Sequence, residues 1–255
     1  MQTLFRIAVL LYMIAPVPAH SDPPAHTLSI VLVHGAWADG SSWDKVVPML
    51  EAKGYNVVAV HLPLTTTADD IAATTRAIDR QPGDVVLVGH SYGGFVISAA
   101  GNDPKVKALV YVDAFALDEG ETINGLSANK PPAWAKTLQV DGGYAWMPAD
   151  TIAKDFAQDL PAAQQKLLAA KQGPFPMKSF DDPARDPAWK TKPSWYVRGA
   201  DDHIIPPAAQ TQMAKRMKAT VTSVDASHVS MLGKPREVAD VILQAATAST
   251  RTASK

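Results

Sequence analysis

The apolar positions of the chain follow two rhythms. Short runs of strand-forming residues occupy 28–33, 56–60, 84–89, 106–113, 194–199 and 220–224. Between them lie segments with helical spacing. Trp43 to Lys53 carries Val46, Val47 and Leu50 on one face, with Ser41 or Ser42 as the expected N-cap. Ala68–Arg80 places Asp69 and Asp70 in a first turn, where the helix dipole favours negative charge. Tyr92–Gly101, Pro207–Met217 and Pro235–Ala248 complete the set, the last with a face of Val238, Val241, Ile242 and Ala245. Strands that are apolar almost throughout and separated by helices predict an α/β fold: a mostly parallel sheet covered on both faces.

The alternation stops between Ala114 and Lys192. This stretch is Pro-rich, holds Trp134, Tyr144, Trp146, Phe156, Phe175 and Trp189, and has one clear helical segment, Leu160–Lys171. A region this long without βα rhythm is expected to be an inserted cap at about 114–192 rather than a structureless loop. At the other end, Arg6 precedes the apolar run Ile7 to Ala15, followed by Pro16-Val17-Pro18-Ala19. That order is expected of a signal peptide, residues 1–19, cleaved after Ala19. The apolar run is too short to cross a bilayer, so no stable membrane anchor is expected, and a periplasmic or secreted location is. Residues 20–27 read as a tether before a single domain at 28–255.

Composition removes several classes. Apolar residues are 47% of the 255 and charged ones 19%, enough for a sizeable core. The net charge of −1 offers no electrostatic reason to bind nucleic acid. With no cysteine there is no thiol nucleophile, disulfide or thiolate metal site, and no clustered His or carboxylate spacing calls for a metal.

Candidate chemistry begins at Gly89-His90-Ser91-Tyr92-Gly93, set between a strand and a helix. A serine on a strained strand-to-helix turn needs neighbours without side chains, and Gly89 and Gly93 supply that space. Ser91 is the expected nucleophile, and its hydroxyl needs a base. Of seven histidines, His20 and His26 lie in the tether, His34 ends a strand, His61 follows one, and His90 sits inside the turn. Only His203 and His228 come late enough for the chain order Ser, acid, His, and only His228 follows a whole strand–loop unit. Asp202, in Gly199-Ala200-Asp201-Asp202-His203, is the preferred acid; Asp201 is its close competitor and Asp113 a third, better suited to a structural or pocket-rim role. A tetrahedral intermediate needs two backbone N–H donors. Tyr92 gives one, and the His34-Gly35-Ala36-Trp37 loop the other, from Ala36 or alternatively Trp37. His34 itself is expected to brace that loop. Trp37, Tyr92, Phe115, Trp134, Tyr144, Trp146, Met147 and Met231 form the candidate lining of a pocket for an apolar or aromatic ester group.

These motifs, with Trp43, Gly94, Asp202-x-x-x-Pro206 and Ser227-His228-x-x-Met231-Leu232, resemble the α/β-hydrolase superfamily. Within it the chain is similar to bacterial EstC-like esterases and to the plant methyl-salicylate esterase and hydroxynitrile lyase group. The resemblance implies a lid over a Ser91–His228–Asp202 triad, oxyanion donors at Ala36 and Tyr92, no cofactor, and small or medium carboxylic esters as substrates. The lyases of this group carry a lysine soon after the catalytic histidine and a threonine after the strand-end histidine. Here Val229, Ser230 and Gly35 stand at those places, which disfavours cyanohydrin cleavage. Rival readings are perhydrolase or haloperoxidase-type activity on the same triad, and a non-catalytic ligand-binding relative.

Overall fold

The computed structural model describes residues 28–127 and 131–253; the expected signal peptide and tether lie outside them. The strands are β1 (Ser29–Val33), β2 (Asn56–Val60), β3 (Val85–His90), β4 (Val106–Val112), β5 (Gln139–Asp141), β6 (Tyr144–Trp146), β7 (Phe175–Pro176), β8 (Ser194–Gly199) and β9 (Thr220–Val224). The helices are α1 (Val47–Glu51), α2 (Thr67–Asp79), α3 (Tyr92–Ala100), α4 (Ile123–Ser127), α5 (Ala149–Thr151), α6 (Ala162–Lys171), α7 (Pro207–Arg216), α8 (Ser230–Gly233) and α9 (Pro235–Ala253).

Among the described residues six strands form one sheet in the order β2-β1-β3-β4-β8-β9, every neighbouring pair parallel. β1, β3 and β4 sit in the middle and are buried almost end to end, which their Val and Leu content requires of a sheet covered on both faces. The chain runs from β1 outward to β2, then crosses back over β1 to β3 and continues the other way. The strand order therefore reverses between β1 and β3, and the carboxyl ends of those two strands open a crevice. Val33, the last residue of β1, pairs with Gly89, so the His34 and Ser91 loops leave the sheet side by side.

Two local readings change. The first helical stretch does not begin at Ser41 or Ser42. Asp39 caps a 3-10 turn, Gly40–Trp43, by accepting from the Ser41 N–H, and α1 starts only at Val47 because Pro48 suits a first turn and cannot sit deeper. The stretch after β4 contains, besides its helices, a three-stranded antiparallel sheet, β5-β6-β7. Its strands are two or three residues long, too short to show a period of two in the sequence.

Candidate active site

β3 runs straight into α3 through Ser91, whose φ of 53° and ψ of −122° are rare for a residue with a side chain. The turn is possible because two backbones meet without Cβ atoms between them. A Cβ on Gly89 would stand 2.5 Å from the Gly93 carbonyl oxygen, and one on Gly93 2.7 Å from those of Val33 and His34. The backbone N–H of Ser91 donates to the Val112 carbonyl and that of Phe115 to the Ser91 carbonyl, which ties the strained residue to β4 and the loop after it. Only 6% of Ser91 is exposed.

His228 reaches it from the loop after β9. Its Nε2 lies 2.8 Å from Ser91 Oγ, and its Nδ1 2.8 Å from Asp202 Oδ2. Asp202 follows β8, fully buried. Its Oδ1 accepts from the N–H groups of Ile204 and Ile205, and Oδ2 also accepts from Gln210 Nε2 at 2.7 Å. Asp201 faces outward, its side chain 62% exposed and beside His203. The structure thus brings Ser91, His228 and Asp202 into one line and leaves Asp201 and His203 out of it. Burial pushes the His228 imidazole below its ordinary value and raises the Asp202 carboxyl.

The loop after β1 packs on the same serine: a Cβ at Gly35 would stand 2.7 Å from Ser91 Cβ. The Ala36 N–H has no acceptor among the described residues, and the Tyr92 N–H opens α3, where helix geometry provides none. His34 braces this loop. Its Nε2 accepts from the Leu62 N–H at 2.9 Å, so its Nδ1 carries the proton and donates to the Gly35 carbonyl. Burial lowers its pKa to about 4, which keeps it neutral.

A serine on a left-handed strand-to-helix turn, bonded to a histidine that is bonded to a buried aspartate, at the carboxyl edge of a parallel sheet, agrees with the comparison: residues 30–241 match the alpha/beta hydrolase family. The chain belongs to that family. A pyrethroid hydrolase of Sphingobium wenxiniae is 30% identical over 243 residues, covering 84% of this chain and 85% of that protein. Methylesterase 1 of Arabidopsis thaliana is 26% identical over 253 residues, covering 85% of this chain and 95% of that protein. The solved structure of a pyrethroid hydrolase from Sphingobium faniae JZ-2 matches with a TM-score of 0.75 at 27% identity, over 88% of this chain and 99% of that one.

In this hydrolase the expected pocket residues separate. Trp37, at φ 56°, turns into the segment after β4: its Nε1 donates to the Ala145 carbonyl, and its ring meets Trp134 edge-on at 5.9 Å and Phe175 and Phe180 at about the same distance. Trp134, half-buried, donates its own Nε1 to the Ile204 carbonyl, two residues past Asp202. Met147 and Met231 are fully buried, and Phe115 and Trp146 half-buried. Tyr144 lines a cavity of about 390 Å³ with His34, Asp39, His61 and Lys171, beside the loop after β1. The Tyr92 side chain leaves the crevice and donates to Asp70 Oδ2 at 2.8 Å. Among the described residues no cluster of three or more His, Asp or Glu stands ready to hold a metal ion.

Three contacts escaped the sequence reading. His90 Nε2 donates to the His228 carbonyl at 2.8 Å, and its ring lies 4.9 Å from the His228 ring. Phe156, on a π-turn over Ile152–Phe156, presents its edge to His228 at 5.1 Å. Gln210, on α7, holds Asp202. For the last a signal existed: a buried-face amide one turn into the helix after the acid.

Proposed function

We propose that this hydrolase is an exported serine carboxylesterase acting on small to medium esters with an apolar or aromatic group. The observation that carries the reading is the unbroken pair of 2.8 Å contacts from Ser91 Oγ through His228 to Asp202. Ser91 attacks the ester carbonyl while His228 Nε2 takes its proton. The oxyanion that forms accepts from the Ala36 and Tyr92 N–H groups, which stand ready without reorganisation. Asp202 holds the imidazole in the required tautomer and stabilises the imidazolium. His228 then returns the proton to the departing alcohol, and water, deprotonated by the same imidazole, releases the acid from Ser91.

The rings of Trp37, Trp134, Phe175 and Phe180 supply an aromatic surface close to the elbow, and a pyrethroid hydrolase and a methylesterase among the relatives support an ester substrate. Export rests on the leader pattern of residues 1–19. An intact mass of the mature protein beginning at His20 is the expected result, and one beginning at Met1 would remove export.

The test of the chemistry is a panel of p-nitrophenyl, aryl and methyl esters against wild type and Ser91→Ala. Loss of about a million-fold in kcat with native far-UV circular dichroism is expected, since no acyl-enzyme can form. Substantial activity left in Ser91→Ala would end the serine mechanism. Peracid formation from peroxide in place of hydrolysis would reassign the acyl acceptor.

A further inference from the structure

Asp113 directly follows β4 at φ 46°, fully buried, and the reaction outlined above gives it no task. Its two carboxyl oxygens reach two different loops. Oδ1 accepts from the Gly199 N–H at 2.6 Å, where β8 turns into the Asp202 loop; Oδ2 accepts from the Ser230 N–H at 3.0 Å, two residues past His228. The approach is built in: a Cβ at Gly199 would stand 3.0 Å from Asp113 Oδ1 and 2.6 Å from the Ser227 carbonyl oxygen. One carboxyl group therefore spans the loop of the acid and the loop of the base.

A second buried carboxyl, that of Asp202, acts on it. Asp202 receives two backbone N–H groups, an amide and the imidazole, whereas Asp113 receives two backbone N–H groups and faces the Ser230 hydroxyl. The titratable groups acting on Asp113 are Asp202, from the loop after β8, and the phenol of Tyr196 on β8; that phenol donates to the Ala114 carbonyl and not to the carboxyl. No cation pairs with Asp113 among the described residues. Two carboxylates in one low-dielectric site do not both ionise, and the charge settles where more donors converge. Ser230 Oγ, buried and without another partner among the described residues, is the hydroxyl that faces this carboxyl, and its pull toward the charged form is smaller than that of burial toward the neutral one.

We infer that Asp113 is a positioning residue that keeps its proton at working pH, latching the Asp202 and His228 loops together as a neutral carboxylic acid so that the negative charge beside the imidazole is that of Asp202 alone. This inference rests on the triad reading of Ser91, His228 and Asp202. Burial first, and the Asp202 charge second, hold the Asp113 carboxyl well above the ordinary carboxylate range, in agreement. A charged Asp113 would favour the imidazolium and weaken His228 as a base at neutral pH.

Infrared difference spectroscopy of the whole protein at pH 8 tests the proton directly. Asp70, raised by burial to about 6, is ionised there and does not interfere. The expected result is a protonated-carboxyl carbonyl band that persists in Asp202→Asn and disappears in Asp113→Asn. Absence of the band from wild type, or its loss in Asp202→Asn alone, overturns the inference, and both readings hold even where Asp113→Asn fails to fold. In kinetics Asp113→Asn lowers kcat about tenfold, one latch being lost, with KM and the acid limb of kcat/KM unmoved. A downward displacement of that limb by about one pH unit would mean that a charge had been removed and the inference was wrong. Activity retained in Ser91→Ala would instead overturn the triad reading and leave the band in place.

Discussion

The carboxyl edge of the parallel sheet and the segment packed over it are held in different ways. At the edge, the loops after β3, β4, β8 and β9 are joined by buried carboxylates, imidazoles and backbone N–H groups: Asp202 takes four donors, Asp113 spans two loops, and His90 holds the His228 carbonyl. The segment after β4 meets the core through indoles. Trp37 donates to Ala145 and Trp134 to Ile204, and Phe156 lays its edge on His228. Part of its own secondary structure is shallow, β5 being exposed along its length and α6 carrying no buried residue, while β7 is buried with Phe175 against Trp37 and Tyr92. Directional bonds between buried groups fix atoms, whereas ring packing fixes a shape. Losses at the edge should therefore appear in rate, and losses in the overlying segment in discrimination between substrates.

The largest effect expected is at the edge. Asp202→Asn presents an amide to His228 Nδ1 and should lower kcat about ten-thousand-fold, while the exposed Asp201→Asn stays within about tenfold. Measuring both on one ester decides the matter, and the reverse ranking would move the acid to Asp201. The pH profile sharpens the same side. Only neutral His228 accepts the serine proton, and burial lowers its pKa, so the acid limb of kcat/KM should lie below the ordinary 6.5 and activity should survive a chelator. An acid limb at or above pH 6.5 would mean that burial does not hold the imidazole neutral.

On the other side, Trp134→Phe gives up the bond to Ile204 but keeps a ring, at a stability cost of about 1 kcal/mol. Trp134→Ala should shift the kcat/KM ratio of a bulky aryl ester to a small acetate by about tenfold. If either change lowered turnover of the small ester as severely as Asp202→Asn, the division between rate and shape would fail. The remaining effect is in stability alone. The folded-state pKa of His34 is about 4 against an ordinary 6.5, so a falling pH protonates the unfolded chain first. The advantage of wild type over His34→Gln should therefore be complete above pH 6.5 and shrink by about 2–3 kcal/mol as pH falls toward 4. Urea titrations of both proteins at pH 7.5 and 4.5 give this difference, and a pH-independent gap would mean that His34 is not held neutral.

The same division governed what could be read from the chain. Runs such as Val85–Val88 and Leu28–Val33 declare central strands by themselves, since a segment apolar on both sides fits only a doubly covered sheet. Gly89, Gly93 and Ser91 declare the strained turn, because few other residue types fit there. β5, β6 and β7 left no readable period. Asp39 outcompeted Ser41 and Ser42 as a cap because its side chain, placed just before the turn, reaches forward to the Ser41 N–H, which the apolar spacing does not reveal.

Local sequence determined the order of strands and helices, the elbow, and the residue types able to act there, since each of these depends on neighbours a few positions away. Which aspartate faces the imidazole is a different kind of fact. Asp201 and Asp202 are adjacent and chemically identical, and only the turn after β8, pinned by the N–H groups of Ile204 and Ile205 and by Gln210 on α7, sends one into the core and the other into water. The same holds for Asp113: its two bonds close contacts over 86 and 117 positions of chain, a juxtaposition that exists only once the sheet has brought β4, β8 and the His228 loop together.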